Sequence, residues 1–381
     1  MKNRRPEHFK FIATTFKGLE KVLEKELREA GASKTRRLIR AVEFYGDLPM
    51  LYKTNMQIAT AIRILRPVAH LRNVKSVAAL YNKMYEIPWE KFFHSRKRIY
   101  FHVSGTLDTI PDTRFVSQKT KDAVVDRFRD LYGNRPDVDK ETPQVVINLH
   151  LFKNQISVSL DASGTPLFKR GYREVAGEAP LNEVLAAGLL RLARWRGDSH
   201  LYDPMTGSGT LPVEAALMAA DIPPNLHRED FGFMHWHGFR PALLERVREE
   251  LRNRIRQPSP LLRIIGSDRD KNMIDVARRN ARKAGVDGWI EWEVKDFFDT
   301  RKIPGDVTLI FNPPYDKRLP LKSRQSFYEK TARHLQEAFR WSTAWIVSPE
   351  NWQKYFRRKP VASYRLYNGP LPVVFSGFRL D

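Results

Sequence analysis

The chain has 381 residues, of which 42% are hydrophobic and 11% aromatic, enough for two or three domains with real cores and no case for disorder. It has no cysteine, which excludes disulfides, thiolate metal sites, iron-sulfur clusters and a cysteine nucleophile. The net charge of +22 is weighted to the front, with +14 in residues 1–170 and +8 in 171–381, a field suited to polyanions such as nucleic acid.

No apolar run approaches the ~18 residues of a membrane span, and MKNRRPEHFK lacks the apolar core of a signal peptide, so the expected location is the cytoplasm. The first β-rich run is FKFIATTF, residues 9–16. GLEKVLEKELREAG then repeats apolar residues at Leu19, Val22, Leu23 and Leu27, one face of a helix that Gly31 stops. A strand, AVEFYGD, and a helix from Leu48 to Ala59 complete a small α+β unit ending near Pro67. The pattern restarts with a helix from Val74 to Tyr85, a strand RIYFHVSG, and a helix that Ser117 could cap. Alternating apolar residues at 145–151 and 156–160 then predict a hairpin, which closes a second α+β unit at Leu160–Gly164.

Beyond a linker-like DASGTPLFKRGYREVAGEAP, a helix is predicted over Leu181–Trp195, and strands then alternate with helices. SHLYDP, LLRIIGSD, WIEWEVKD, DVTLIFN and TAWIVSP are the strand candidates, with helices near 210–220, 241–256, 271–284 and 323–340. Such alternation predicts an α/β, doubly wound, mostly parallel sheet, whose ligands bind beyond the carboxyl ends of the strands.

The chemistry is expected at those ends. Asp203, Pro204, Met205, Thr206, Gly207, Ser208, Gly209 and Thr210 follow the first strand and precede a helix. The two glycines let backbone approach a ligand, and the helix start offers unpaired N–H groups. A P-loop would need G-x-x-x-x-G-K-[ST], which is absent, and a dinucleotide fingerprint would want a glycine where Pro212 stands. The next acid at a strand end is Asp268, followed by Arg269, too distant for a compact dinucleotide unit. The spacing suits S-adenosylmethionine: Asp268 can accept both hydroxyls of a ribose, and Asp296 can accept from the adenine amine with Phe297 beside the ring.

The fourth strand ends in Asn312, Pro313, Pro314 and Tyr315. Proline cannot continue a ladder, and a residue before proline is held extended, so the strand ends in a rigid rim. An exocyclic base amine is a poor nucleophile because its lone pair is delocalised into the ring. The Asn312 oxygen and the Pro313 carbonyl could accept its two N–H bonds and aim the lone pair at a methyl carbon, while Tyr315 stacks on the base.

These residues resemble class I S-adenosylmethionine-dependent methyltransferases of exocyclic amines, marked by [NDS]-P-P-[YFW]. With TTFKGLEKVLEKEL, SLDASGTPLFKRGYR, APLNEVLAAGLL and DPMTGSGTLPVEAA in this order, the chain is similar over nearly its whole length to the THUMP-domain RNA methyltransferases of the RlmL and YpsC-like family. The resemblance implies a ferredoxin-like domain at 1–67, an RNA-gripping THUMP domain at 68–165 and a Rossmann-like methyltransferase domain at 166–381, as in the single-methyltransferase members. It implies S-adenosylmethionine as cofactor, held by 203–210, Asp268, Arg269, Asp296 and Phe297, and N2-methylation of a guanosine in large-subunit ribosomal RNA.

The weaker candidates are cations. Lys119 and Lys121 on the THUMP helix could contact phosphate. So could Lys169, Arg170 and Arg173 of KRGYR, although Arg173 could equally pair internally. His235, Trp236 and His237 have no cysteine or spaced carboxylate set nearby, which favours packing over a metal site, and no metal is expected. The rival functions are N2-methylation of transfer RNA, N6-methylation of adenine, glutamine methylation of release factors, and a non-catalytic RNA-binding assembly role.

Overall fold

The computed structural model describes residues 8–173, 181–301, 303–314 and 321–381, with side chains from residue 324 in the last stretch. Its first part runs β1 (Phe9–Thr14), α1 (Glu20–Glu29), β2 (Ser33–Leu38), β3 (Ala41–Gly46), α2 (Leu48–Gln57), β4 (Arg63–Leu71), α3 (Val77–Tyr85), β5 (Arg98–Leu107), α4 (Thr113–Tyr132), β6 (Asp137–Val138), β7 (Val145–Lys153) and β8 (Gln155–Asp161). The expected break near Pro67 falls inside a strand. β4 pairs with β1 through Arg63–Leu65 and with β8 through Leu65–Leu71, so one sheet of order β2-β3-β1-β4-β8-β7-β5-β6 spans both predicted units. The register of β4 against β8 shifts between Pro67 and Ala69, which lets a residue without an N–H stand within the strand.

Two local readings change. The helix containing Lys119 starts at Thr113 and not at Ser117, because the Asp112 carboxylate accepts the N–H groups of Arg114 (2.8 Å) and Phe115 (3.3 Å). β2, SKTRRL, carries too little apolar pattern to be seen in sequence; it is an edge strand, where polar residues are suitable.

The second part contains α5 (Glu183–Leu192), β9 (His200–Asp203), α6 (Thr210–Ala219), α7 (Pro241–Arg252), β10 (Ile264–Asp268), α8 (Lys271–Lys283), β11 (Glu291–Val294), β12 (Val307–Phe311), α9 (Leu321–Ala338), β13 (Thr343–Ser348), α10 (Gln353–Phe356), β14 (Ala362–Asn368) and β15 (Leu371–Arg379). The sheet order is β11-β10-β9-β12-β13-β15-β14; the first five strands are parallel, and β15 runs antiparallel to β13 and β14. The doubly wound, mostly parallel sheet is therefore present, extended by a terminal hairpin. β9 lies between β10 and β12, where the winding reverses and a crevice opens at the strand ends.

The parts are tied together twice. α5 is buried along its length, packed on α6 and against α1, and Gly188 allows the approach: a Cβ there would lie 2.7 Å from the Leu19 side chain. In the other direction, α7 leaves the doubly wound layer in which its sequence position places it. It packs on α2, with Phe233 stacked on Tyr52 at 4.6 Å and the Arg240 N–H donating to the Tyr52 hydroxyl (3.0 Å). Leu226, Phe231, Phe233, Leu244, Val247 and Leu251 join the core of the first sheet. Among the described residues no helix is long and apolar enough to cross a membrane.

Candidate active site

The ends of β9, β10, β11 and β12 surround a cavity of about 540 Å³. The loop after β9 is shaped by glycine. Gly207 (φ +52°) donates its N–H to the Asp268 carboxylate (3.0 Å), and a Cβ there would meet only open space. Gly209 (φ +77°) caps α6 from the left-handed region; a Cβ on it would fall 2.7 Å from the Ala277 Cβ and 2.8 Å from the Trp292 ring. The Thr206 N–H is held by the Ser267 carbonyl (2.9 Å), and Asn280 donates to the Ser208 carbonyl (2.9 Å). This leaves Met205, Thr206, Gly207, Ser208, Thr210 and Leu211 along one wall.

Four carboxylates line the cavity. Asp203 is 4% exposed and accepts the Met205 N–H at 3.3 Å; burial pushes its carboxyl up to about 8, and the negative charge of Asp268 adds to the rise. Asp268 accepts from Gly207 and from the Asp270 N–H (3.0 Å). Asp296 caps a short turn by accepting the Phe298 N–H at 2.9 Å. Asp270 is the fourth, and among the described lining residues Arg269, itself exposed, is the one cation. The surroundings are thus acidic inside a strongly basic protein, which suits a ligand carrying positive charge and disfavours the pyrophosphate of a dinucleotide.

Asn312 and Pro314 also line the cavity, and Pro313 is buried. The Asn312 Oδ1 is inaccessible to solvent and has no hydrogen-bond partner among the described residues, an acceptor at the end of β12. The Pro314 carbonyl accepts from the Tyr328 hydroxyl (3.4 Å), fixing the rim to α9. Tyr315 lies outside the described residues. Phe297, expected beside the adenine, bounds the cavity but is 3% exposed and packs on Phe311, Phe339 and His334. Its neighbour Phe298, unnoticed in sequence, presents more surface and meets Phe327 edge to face at 5.9 Å, with Lys330 Nζ 3.9 Å from its ring centroid. Leu181 and Leu189 of the APLNEVLAAGLL stretch, with Met273 and Phe327, which belong to no motif, complete the apolar lining.

The KRGYR cations separate into two groups. Arg170 is a correction: its side chain is 1% exposed, ion-paired to Glu214 and bonded to the Ala59 carbonyl (2.7 Å), so no phosphate reaches it. Arg173 is likewise turned inward, donating to Glu183 (2.9 Å), the Leu181 carbonyl (2.8 Å) and Thr210 Oγ1 (3.0 Å). Tyr172 donates to Glu214 at 2.8 Å, and burial raises that carboxyl to about 7. This cluster is a strut joining the first sheet's unit to α5 and α6. Lys169 is exposed, whereas Lys119 and Lys121 share the Asp122 carboxylate at 3.4 and 3.0 Å.

His235 pairs with Asp230 (2.9 Å), Trp236 is buried, and His237 meets His94 edge to face at 4.2 Å. No group of three or more metal-binding side chains occurs among the described residues.

Comparison with known proteins agrees with this architecture. Residues 10–65 match the RlmL ferredoxin-like domain, 74–161 the THUMP domain and 170–376 the RMKL-like methyltransferase domain. The chain is 36% identical over 97% of its length to the ribosomal RNA large subunit methyltransferase K/L of Psychromonas ingrahamii, covering 50% of that protein. It is 33% identical over 97% of its length to slr0064 of Synechocystis sp., named as a candidate RNA methyltransferase, covering 96% of it. The chain thus spans about half the length of the K/L relatives and nearly all of the Synechocystis one. Among solved structures, SMU.472 complexed with SAH superposes with a TM-score of 0.87 at 28% identity, over 98% of this chain and 99% of that one. By its three matched domains and these relatives, the chain belongs to the RMKL-like methyltransferase family.

Proposed function

We propose that this chain transfers a methyl group from S-adenosylmethionine to the exocyclic N2 amine of a guanosine in large-subunit ribosomal RNA. The observation that carries the reading is Asn312 on the rim of an acidic cavity, its Oδ1 without a partner among the described residues. An acceptor left without a partner costs about 1–3 kcal/mol unless a ligand satisfies it, and an exocyclic amine supplies the missing donor.

The residues fit the cofactor. Asp203, buried with no cation beside it among the described residues, suits an ammonium group; Asp268 and the Gly207 turn suit the ribose; Asp296, Phe297 and Phe298 suit the adenine. When bound, S-adenosylmethionine supplies an electrophilic methyl on a sulfonium centre. The chain's own work is positional: Asn312 Oδ1 and the Pro313 carbonyl take the two amine N–H bonds, directing the nitrogen lone pair into the cavity and stabilising the positive charge that grows on nitrogen. Tyr315 is the proposed stacking partner of the base. The amine gains a carbon bond before it loses its proton, so no base of shifted pKa is required.

RNA as substrate is supported by the matched THUMP domain, the charge of +22 and the names of the relatives, with Lys119, Lys121 and Lys169 as proposed phosphate contacts. Guanine N2 and adenine N6 present the same amine to the same acceptors, and the preference for guanine rests on family resemblance. Mass-spectrometric nucleoside analysis of ribosomal RNA from cells with and without the gene, followed by treatment of the deficient RNA with protein and labelled cofactor, tests the reading. Loss and restoration of N2-methylguanosine is the expected result. An N6-methyladenosine response replaces the base, and no response in either direction overturns the ribosomal substrate.

A further inference from the structure

A larger cavity, about 860 Å³, lies away from the methyl-transfer site, between α1 of the first part and the C-terminal ends of α5 and α6. α6 begins with Thr210 at the cofactor cavity and lines this cleft from Glu214 to Met218, roughly 6–12 Å further along its axis at 1.5 Å per residue. Trp195 and Arg196, which precede β9, line the cleft, whereas Asp203, which ends β9, lines the active site; the two cavities therefore open at opposite ends of the strand.

Every carboxylate in the cleft wall already has a cation. Glu26 holds Arg191 (2.9 Å), Glu214 holds Arg170, Asp221 holds Arg254 (2.9 Å) and Glu29 faces Lys25 (3.8 Å). Lys21, Arg194, Arg196 and Arg256 remain, all exposed, and none meets a carboxylate among the described residues; Arg256 donates once, to the Ala219 carbonyl at 3.4 Å. An excess of four positive charges thus lines the two walls of one cleft.

The cleft's form distinguishes among anions. α5 and α6 present their C-terminal ends here, and their negative dipole ends disfavour an anion seated directly against them, so a bound anion is held by the side-chain cations across the cleft. The four cations come from three separate segments on long flexible stems, which suits charges distributed along a chain. We infer that this cleft binds the phosphodiester backbone of the RNA substrate, as a second contact remote from the THUMP domain and the methylated base. The inference rests on the RNA-methyltransferase reading above. Contacts of this kind fix register and orientation without reading sequence.

The test is Arg194→Gln/Arg196→Gln/Arg256→Gln in the full chain, with fluorescein-labelled oligouridylate as probe and anisotropy measured across a potassium chloride titration. Losing three phosphate contacts is expected to lower the salt slope of log K by about 2 and to weaken binding roughly 100-fold near 0.1 M salt. SAH affinity and thermal melting, measured on the same variant, are expected to match the wild type, which separates a lost contact from a lost fold. An unchanged slope and affinity would overturn the assignment. Polyglutamate is run alongside: a variant that loses polyglutamate and keeps oligouridylate assigns the cleft to an acidic protein and overturns it too. Because the probe carries no target site, its outcome is independent of whether the wild type methylates ribosomal RNA.

Discussion

Asp203 offers a sharp test of how the cofactor is held. Its carboxyl is buried, with one backbone N–H at 3.3 Å, and is pushed up to about 8. At pH 7 such a group is largely protonated, and the α-amino group of SAH, which sits beside its own carboxylate, is charged. Pairing the two as carboxylate and ammonium therefore expels the Asp203 proton, a net release approaching about one proton. As pH rises through about 8 the carboxyl is already ionised before the ligand arrives, and the release shrinks toward zero. Calorimetric titration of SAH in buffers of differing ionisation enthalpy reads these numbers directly, and Asp203→Asn is expected to abolish the release at pH 7. Binding enthalpies that do not depend on buffer at pH 7 would refute the pairing. Stability gives a second readout. With folded pKa about 8 and unfolded about 3.9, the free protein holds the proton longer when folded, so its stability declines as pH rises from about 4 to about 8. SAH is expected to flatten that decline in thermal melts.

Asn312→Ala is expected to keep SAH affinity within about threefold while lowering methyl transfer by about 10²–10³-fold, read with labelled cofactor; normal turnover would sink the proposed role. Arg170→Met leaves Glu214 buried without its cation and is expected to cost about 3–5 kcal/mol in urea denaturation, most of it recovered when Glu214→Leu is added. A loss below about 1 kcal/mol in the single variant would show that the strut is not held by this pair. Gly209→Ala drives a Cβ into Ala277 and Trp292 from a left-handed backbone, with an expected loss of about 1–3 kcal/mol by the same assay and weakened SAH binding.

The strand ends were legible because each has a one-dimensional signature. Apolar runs stop at Asp203, Asp268 and Asn312 in turn, and the polar residue that stops a parallel strand lies at the sheet edge where ligands bind. Asp296 follows β11 by two residues in the same way. Turn residues carried comparable weight, since Gly207 and Gly209 adopt conformations that most side chains resist. β14 and β15 passed unnoticed, and the shared sheet was hidden because Pro67 reads as a boundary and is in fact accommodated by a register shift.

What local pattern determined about this protein is the order of its strands and helices, the identity of the turn residues and the four strand-end groups that converge on one cavity. Tertiary structure alone decided where long side chains spend their charge. Arg170 reads in sequence like a phosphate contact, but its partner Glu214 is 44 positions away and both are buried. The same holds for α7, whose apolar face is plain in sequence but whose partner, α2, lies nearly two hundred residues earlier. The periodicity of a helix says which face is buried and not against what, and a cation's neighbours are set by chain folding over distances that no local pattern encodes.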